Sequence, residues 1–338
     1  MNVRRLALCA LCVVTACVTL PAAAWIRSPA TNFAVLPPGT SHPEGLTADA
    51  QGNLYVADLF PDSDGNGTIV VFDHAGRLQR RLAVAPSSGS LLGLAFHPIS
   101  GALLVLDFGA GNVLQVNPPS GAATVWGTVP QANAGLNALT FDTLGNVYVS
   151  DSFNATIWKF PMGGGTGTAW VHDSATLGTT GIPPFGANGV AFNNEHTALF
   201  VANTGNDTIV KIPVDASFNP GAPAVFVNSI NGADGLIIDD ADNIWVCANQ
   251  ADEIVVVDPT GKAIAKLGDF DGIDPRGVPQ GLLFPASLVF SNGFLYVTNL
   301  GLDLRDAGVP ALTVDTAWAD QVKQWNVARI RAQIPPQH

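Results

Sequence analysis

The chain has 338 residues, 47% hydrophobic and 12% charged, with 35 Gly and 24 Pro. That is enough length for a large core, and it is too rich in turn formers for a helical protein. A formal net charge of −12 tells against nucleic acid or an anionic membrane surface as partner.

At the N-terminus, Arg4 and Arg5 precede an apolar run from Leu6 to Leu20, and Ala22-Ala23-Ala24 supplies small residues before Trp25. This pattern predicts an export signal over residues 1–24 and a periplasmic or secreted mature protein. Val14-Thr-Ala-Cys17 also resembles a lipobox. Val18-Thr-Leu-Pro21 is a poor polar tether, however, so cleavage after Ala24 is favoured over lipidation at Cys17. No later run is long and apolar enough to span a bilayer. Cys9, Cys12 and Cys17 fall in the leader, which leaves Cys247 alone, mid-strand, as an inert core thiol.

Asn32–Leu36 reads as a spare strand. After it a phrase returns six times: a short apolar strand, a turn, a second apolar strand, then Asp or Asn. The copies run Glu44…Asp58, Gly93…Asp107, Asn137…Asp151, Asn188…Asn203, Asp234…Asn249 and Ser287…Asn299, starting 49, 44, 51, 46 and 53 residues apart. Third strands follow at Thr68–Phe72, Asn112–Val116, Thr156–Phe160, Thr208–Ile212 and Glu253–Val257, with looser fourth strands such as Arg80–Val84 and Ala224–Val227. Val, Ile, Thr and aromatic residues dominate them, as a packed pleated sheet requires. A strand-built repeat of this period predicts an all-β, six-bladed propeller with four-stranded blades, filling residues 25–338 as one domain. The last repeat offers a third strand at Val322–Val327 and no fourth. The strand at Asn32–Leu36 is expected to fill that slot and remove the open edges.

Strand one is innermost in a propeller blade, so its first residue points into the mouth of the central channel. These positions read Glu44, Gly93, Asn137, Asn188, Asp234 and Ser287. Two carboxylates and two amide carbonyls converging on one axis make an oxygen-only, doubly negative cage suited to Ca²⁺ or another hard divalent cation. The bland alternative is that Asn and Asp cap turns before strands. His42, two residues before Glu44, alternates to the same side of an extended segment and is a candidate assistant. The long connections, Leu59–Gly67, His172–Ala187, Gly268–Pro285 and Gly301–Asp320, all lie on this face, which marks it as the working face.

Glu44-Gly, Asn188-Gly-Val-Ala-Phe and Asp234-Gly-Leu-Ile-Ile-Asp resemble signatures of the gluconolactonase/regucalcin-like family, calcium-dependent six-bladed propellers of the senescence marker protein type. The resemblance implies metal ligands at Glu44, Asn137, Asn188 and Asp234. It also implies hydrolysis of a small-molecule lactone or ester, or of an organophosphate, with Asp234 as base or nucleophile. Ala138 stands where family members often carry Asp, and no Arg matches a substrate-binding one. Two alternatives use the same mouth: a non-catalytic NHL-like propeller binding a peptide, glycan or protein, and a strictosidine-synthase-like or lyase propeller.

Two further signals are weaker. Asp62-Ser-Asp-Gly-Asn66-Gly67 matches half of a calcium loop, with Asp73 at its twelfth position, but it lacks flanking helices. Asp58, Asp107, Asp151, Asn203, Asn249 and Asn299 recur in every repeat, which points to a structural task of satisfying backbone donors.

Overall fold

The second strand of each repeat is apolar without alternation because it is buried on both faces. Every residue of Leu54–Asp58, Leu103–Asp107, Val147–Asp151, Ala198–Asn203 and Ile244–Ala248 is buried in the computed structural model. The structure describes residues 27–305, 308–309 and 316–334, so the predicted leader and Cys17 lie outside the described residues.

The strands form six antiparallel blades around one axis. Blade one comprises Pro43–Ala48, Leu54–Asp58, Gly67–Phe72 and Leu78–Val84, from the axis outward. Blade two comprises Leu91–Phe96, Leu103–Asp107, Asn112–Val116 and Ala123–Thr128, and blade three Leu136–Phe141, Val147–Asp151, Thr156–Phe160 and Thr168–His172. Blade four is Ala187–Phe192, Ala198–Asn203, Thr208–Pro213 and Ala224–Val227. Blade five is Ala233–Ile238, Ile244–Ala248, Glu253–Val257 and Ala263–Leu267.

Blade six is built from both ends of the chain: Pro285–Ser291, Phe294–Asn299 and Asn326–Arg331, then Thr31–Val35 outermost. Thr31 pairs with Arg329 and Val35 with Asn326, the closure expected from the spare N-terminal strand. The third strand of this blade is Asn326–Arg331 rather than Val322–Val327. A short helix at Thr316–Ala319 and the turn after it use up the preceding residues, and Lys323 N–H bonds the Gly277 carbonyl instead of a neighbouring strand.

Two-sided burial gives six thin core layers, one per seam between blades. Leu54, Val56, Val70 and Phe72 pack against Ala34, Tyr296 and Val327 of blade six. Tyr55, Ala57, Ile69 and Val71, on the other face of the same strands, meet Leu91, Leu103 and Leu114 of blade two. The other four seams repeat the arrangement.

Asp residues fix the turns on the far face. Asp49, Asp142 and Asp239 accept backbone N–H groups two and four residues on, and a Tyr or Trp six residues on donates to each. On the working face Asp62 does the same for Asp64 and Asn66, while on the far face Asp73 pairs with Arg77 at 2.8 Å. The calcium-loop look-alike is thus a hairpin turn whose first carboxylate faces its own backbone.

Candidate metal centre

At the start of each innermost strand two residues stand opposite one. In blade one Pro43 pairs with Asp58 and Leu46 with Val56, so Glu44 and Gly45 together face Ala57. The same bulge sets Leu92-Gly93 against Leu106, Asn137-Ala138 against Ser150 and Asn188-Gly189 against Ala202. It also sets Asp234-Gly235 against Cys247 and Ala286-Ser287 against Thr298. A bulge bends its strand and re-aims a side chain. The first bulge residues therefore form one ring: Glu44, Leu92, Asn137, Asn188, Asp234 and Ala286.

This ring brings Glu44, Asn137, Asn188 and Asp234 to one level, and it corrects blades two and six. Gly93 and Ser287 occupy the second bulge position, one residue past the mouth, where space is tight. A Cβ on Gly45 would lie 2.1 Å from the Leu92 carbonyl oxygen, and one on Gly189 would lie 2.5 Å from that of Asp234. Where this position carries a side chain, at Ala138 and Ser287, the opposing Ser150 and Thr298 hydroxyls accept its N–H at 3.0 and 2.9 Å. Thr298 then donates to the Glu44 carbonyl at 2.9 Å, tying blade six to blade one.

All four oxygen-bearing side chains of the ring are at most 5% exposed. Burial, then the charge of Asp234, pushes the Glu44 carboxyl well above its ordinary range. Burial raises Asp234 to about 7, opposed by the hydrogen bond from Asn249 and, more weakly, by the nearby Asn188 amide and Gly235 N–H, neither of which closes a hydrogen bond to Oδ1. The two carboxylates sit on blades one and five, which both border blade six.

Three oxygens of the ring are buried without a hydrogen-bond partner, Glu44 Oε2, Asn188 Oδ1 and Asp234 Oδ1, as is Asn249 Oδ1 beside them. Two of the ring oxygens are held by their other ends. Asn188 Nδ2 donates to Thr204 Oγ1 at 2.9 Å, and that hydroxyl gives its own proton to the Ala233 carbonyl at 2.8 Å, which fixes the amide with Oδ1 free. Asp234 Oδ2 accepts Asn249 Nδ2 at 2.8 Å, leaving Oδ1 free. Oriented, partnerless oxygens of this kind suit a hard cation. Among the described residues no group of three or more His, Cys, Asp or Glu side chains could hold a metal, so a cation here would draw on the two amide oxygens as well as the two carboxylates. Below the ring the channel opens into a cavity of about 390 Å³ lined by Leu46, Leu94, Leu139, Val190, Leu236 and Leu288.

The sequence groups Asn249 with the recurring strand ends, and the structure separates it from them. Ala248 pairs with Ala233 where Asn203 pairs with Ala187, so Asn249 stands at the register of Thr204 and turns inward. The extra residue in Ile244-Trp-Val-Cys-Ala-Asn249 was the visible signal. Gly232, at φ 68°, makes room for it: a Cβ there would lie 1.9 Å from Asn249 Oδ1. Asp58, Asp107, Asp151 and Asn299 do cap backbone, accepting N–H groups of Ser41, Ser88, Gly135 and Leu283.

His42 is not carried to the carboxylates by strand alternation, because it takes φ 55° and breaks the extended path. Its ring lies between Phe60 and Trp325, at centroid distances of 4.7 and 4.3 Å. It faces a cavity of about 290 Å³ shared with Asp303, Arg305 and Asp320. Burial lowers its pKa to about 4, so it is a neutral wall residue at pH 7. Cys247, opposite the Asp234 bulge, is held protonated by burial and the two carboxylates, as an inert thiol should be.

The fold resembles several solved propellers. A calcium-binding protein, regucalcin, from Agrobacterium tumefaciens superposes with TM-score 0.63 at 18% identity, over 90% of this chain and 97% of that one. A gluconolactonase from Xanthomonas campestris gives 0.60 at 14%, over 82% and 96%. Virginiamycin B lyase from Staphylococcus aureus gives 0.55 at 13%, over 80% and 81%. At such identities these likenesses establish the fold alone. No curated protein matches the sequence. Residues 185–268, which contain Asn188 and Asp234, match the family model of the SMP-30/Gluconolactonase/LRE-like region. Through this segment the chain is similar to the SMP-30/gluconolactonase/LRE-like proteins.

Proposed function

We propose that the chain is an exported, divalent-cation-dependent hydrolase of small lactones or esters, with Ca²⁺ as the first candidate ion. The observation that supports this best is the set of buried, partnerless oxygens on Glu44, Asn188 and Asp234, level with Asn137. These four residues would hold the cation, which when bound supplies a Lewis acid for a carbonyl oxygen.

Asp234 has one oxygen tied to Asn249 and one free, so it can hold the ion and serve as base. Hydrolysis adds one water across the acyl C–O bond. Asp234 takes a proton from that water, the C–O bond breaks, and the proton passes to the departing alkoxide, leaving a carboxylate and an alcohol. Asn249, which donates to Asp234 Oδ2, steadies its charge while it does so. His42 is assigned no part in the proton transfer.

Calorimetric titration with Ca²⁺ and Mg²⁺, followed by a lactone and aryl-ester panel, tests this. Asp234→Asn should stay folded and lose about 10²-fold or more in kcat at saturating metal. Asn137→Ala should be partly rescued by excess cation. The near-complete burial of all four residues favours a second reading, in which the ion is structural and the propeller is a binding protein. Calcium would then raise the melting temperature without any turnover.

A further inference from the structure

The mouth is unevenly walled. Over blades six and one the loops bury their own apolar cluster of Phe284, Leu300, Leu302 and Leu304 against Leu59 and Phe60. Over blades two to four runs an apolar rail in which Phe153 is exposed and Phe108 and Phe185 are half-buried. Phe108 and Phe153 meet edge to face at 5.2 Å, and Phe153 stacks on Phe185 at 5.8 Å and 26°. Phe153 is 51% exposed and Ile182, on the same loop as Phe185, is 47% exposed.

The rail runs along the starts of the strands that carry the proposed ligands. Gly135, two residues before Asn137, lies beneath it: a Cβ there would be 2.8 Å from Phe153 and 3.1 Å from Phe108. Ser152, next to Phe153, bonds the carbonyl of Ala187 just ahead of Asn188 at 2.8 Å. Gln250, next to Asn249, bonds the Ile182 carbonyl at 3.2 Å.

Resting on the hydrolase proposal, we propose that this rail seats the organic substituent of the substrate. The preferred class is then an aryl- or alkyl-substituted lactone or ester rather than a polyhydroxylated sugar lactone. The exposed Phe153 ring and the open edges of Phe108 and Phe185 lose water-facing apolar area when an apolar group covers them. The polar side chains flanking the rail are already engaged with one another. Thr179 bonds Asn206 at 2.6 Å, Gln131 bonds Asn154 at 3.3 Å, and Asn154 bonds Asp151 at 3.0 Å. Sugar hydroxyls seated there would give up water for partners already taken.

The test uses the full mature chain with calcium and measures kcat/KM for phenyl-substituted δ-valerolactone, δ-valerolactone itself and glucono-δ-lactone. The phenyl compound should exceed both others by about ten-fold or more, a gain of the size one buried apolar group gives. Phe153→Ala should cut the phenyl-to-unsubstituted ratio about ten-fold through KM, and Phe153→Leu should restore most of it, with folding of both checked by melting temperature. A preference for glucono-δ-lactone, or a ratio unmoved by Phe153→Ala in a folded protein, overturns the rail while leaving the hydrolase standing. Turnover of none of the three overturns the hydrolase proposal and the rail with it.

Discussion

Asn249 spends one amide hydrogen on Asp234 and turns its oxygen toward Gly232, so it acts on the site only through Asp234. Outer partners of this kind typically set ligand orientation and are worth about 10–100-fold in metal affinity. Asn249→Ala should weaken calcium binding by about ten-fold in calorimetry, with activity recovered by excess ion. An unchanged affinity would return Asn249 to a purely structural role. Asp58 shows the opposite case, a buried carboxylate with no charge chemistry to do. Burial raises it to about 7 against the bonds from Ser41, so its stabilising contribution is present below the ordinary carboxylate pKa and lost as pH rises through about 7. Blades four and six use Asn203 and Asn299 at this register. Asp58→Asn should therefore match wild type near pH 4 or below and melt about 2 °C or more above it near pH 8. A variant that melts lower at both would refute this.

The bulge is the element that makes the site, and it was the part least visible in the sequence. Strands two and three were legible because seams on both sides force unbroken runs such as Leu54-Tyr-Val-Ala and Leu103-Leu-Val-Leu. The four oxygen-bearing ring positions were legible because each begins its phrase. Blades two and six were misaligned by one residue because Leu92 and Ala286 look like ordinary strand residues. Only the pairing of Leu91 with Asp107 and of Leu94 with Val105 shows where the extra residue sits. Asn249 escaped for the same reason, since a one-residue shift on a strand exchanges its two faces. The second bulge position gives a sharp check. Gly45→Ala places a methyl group 2.1 Å from a backbone oxygen that cannot swing aside, and it should cost about 2–3 kcal/mol in denaturant unfolding. Ser287→Gly should cost under about 1 kcal/mol, its N–H bond to Thr298 being retained. Equal costs would mean the six bulges do not share one packing.

For the molecule as a whole, the two axial carboxylates make stability depend jointly on pH and cation. Both pKa values are raised without metal, Asp234 to about 7, so the metal-free fold is favoured by protonation and weakens as pH rises through that value. A bound cation replaces the proton, and at a hundred times its Kd contributes about 2.7 kcal/mol. The gap in melting temperature between calcium-loaded and chelated protein should widen from pH 5 to pH 8, and a gap that narrows would count against a shared ion. Closure of the ring has a reach of its own. Thr31 pairs with Arg329, and Arg27 continues the clamp by bridging Glu253 at 3.0 Å and Asp269 at 3.3 Å. During synthesis the first strand to emerge must therefore wait, unpaired, for almost the last. Such a distant pairing is slow to find. It also works as a completeness check: a chain interrupted anywhere before Asn326 leaves Thr31–Val35 without its partner and stays open to proteolysis.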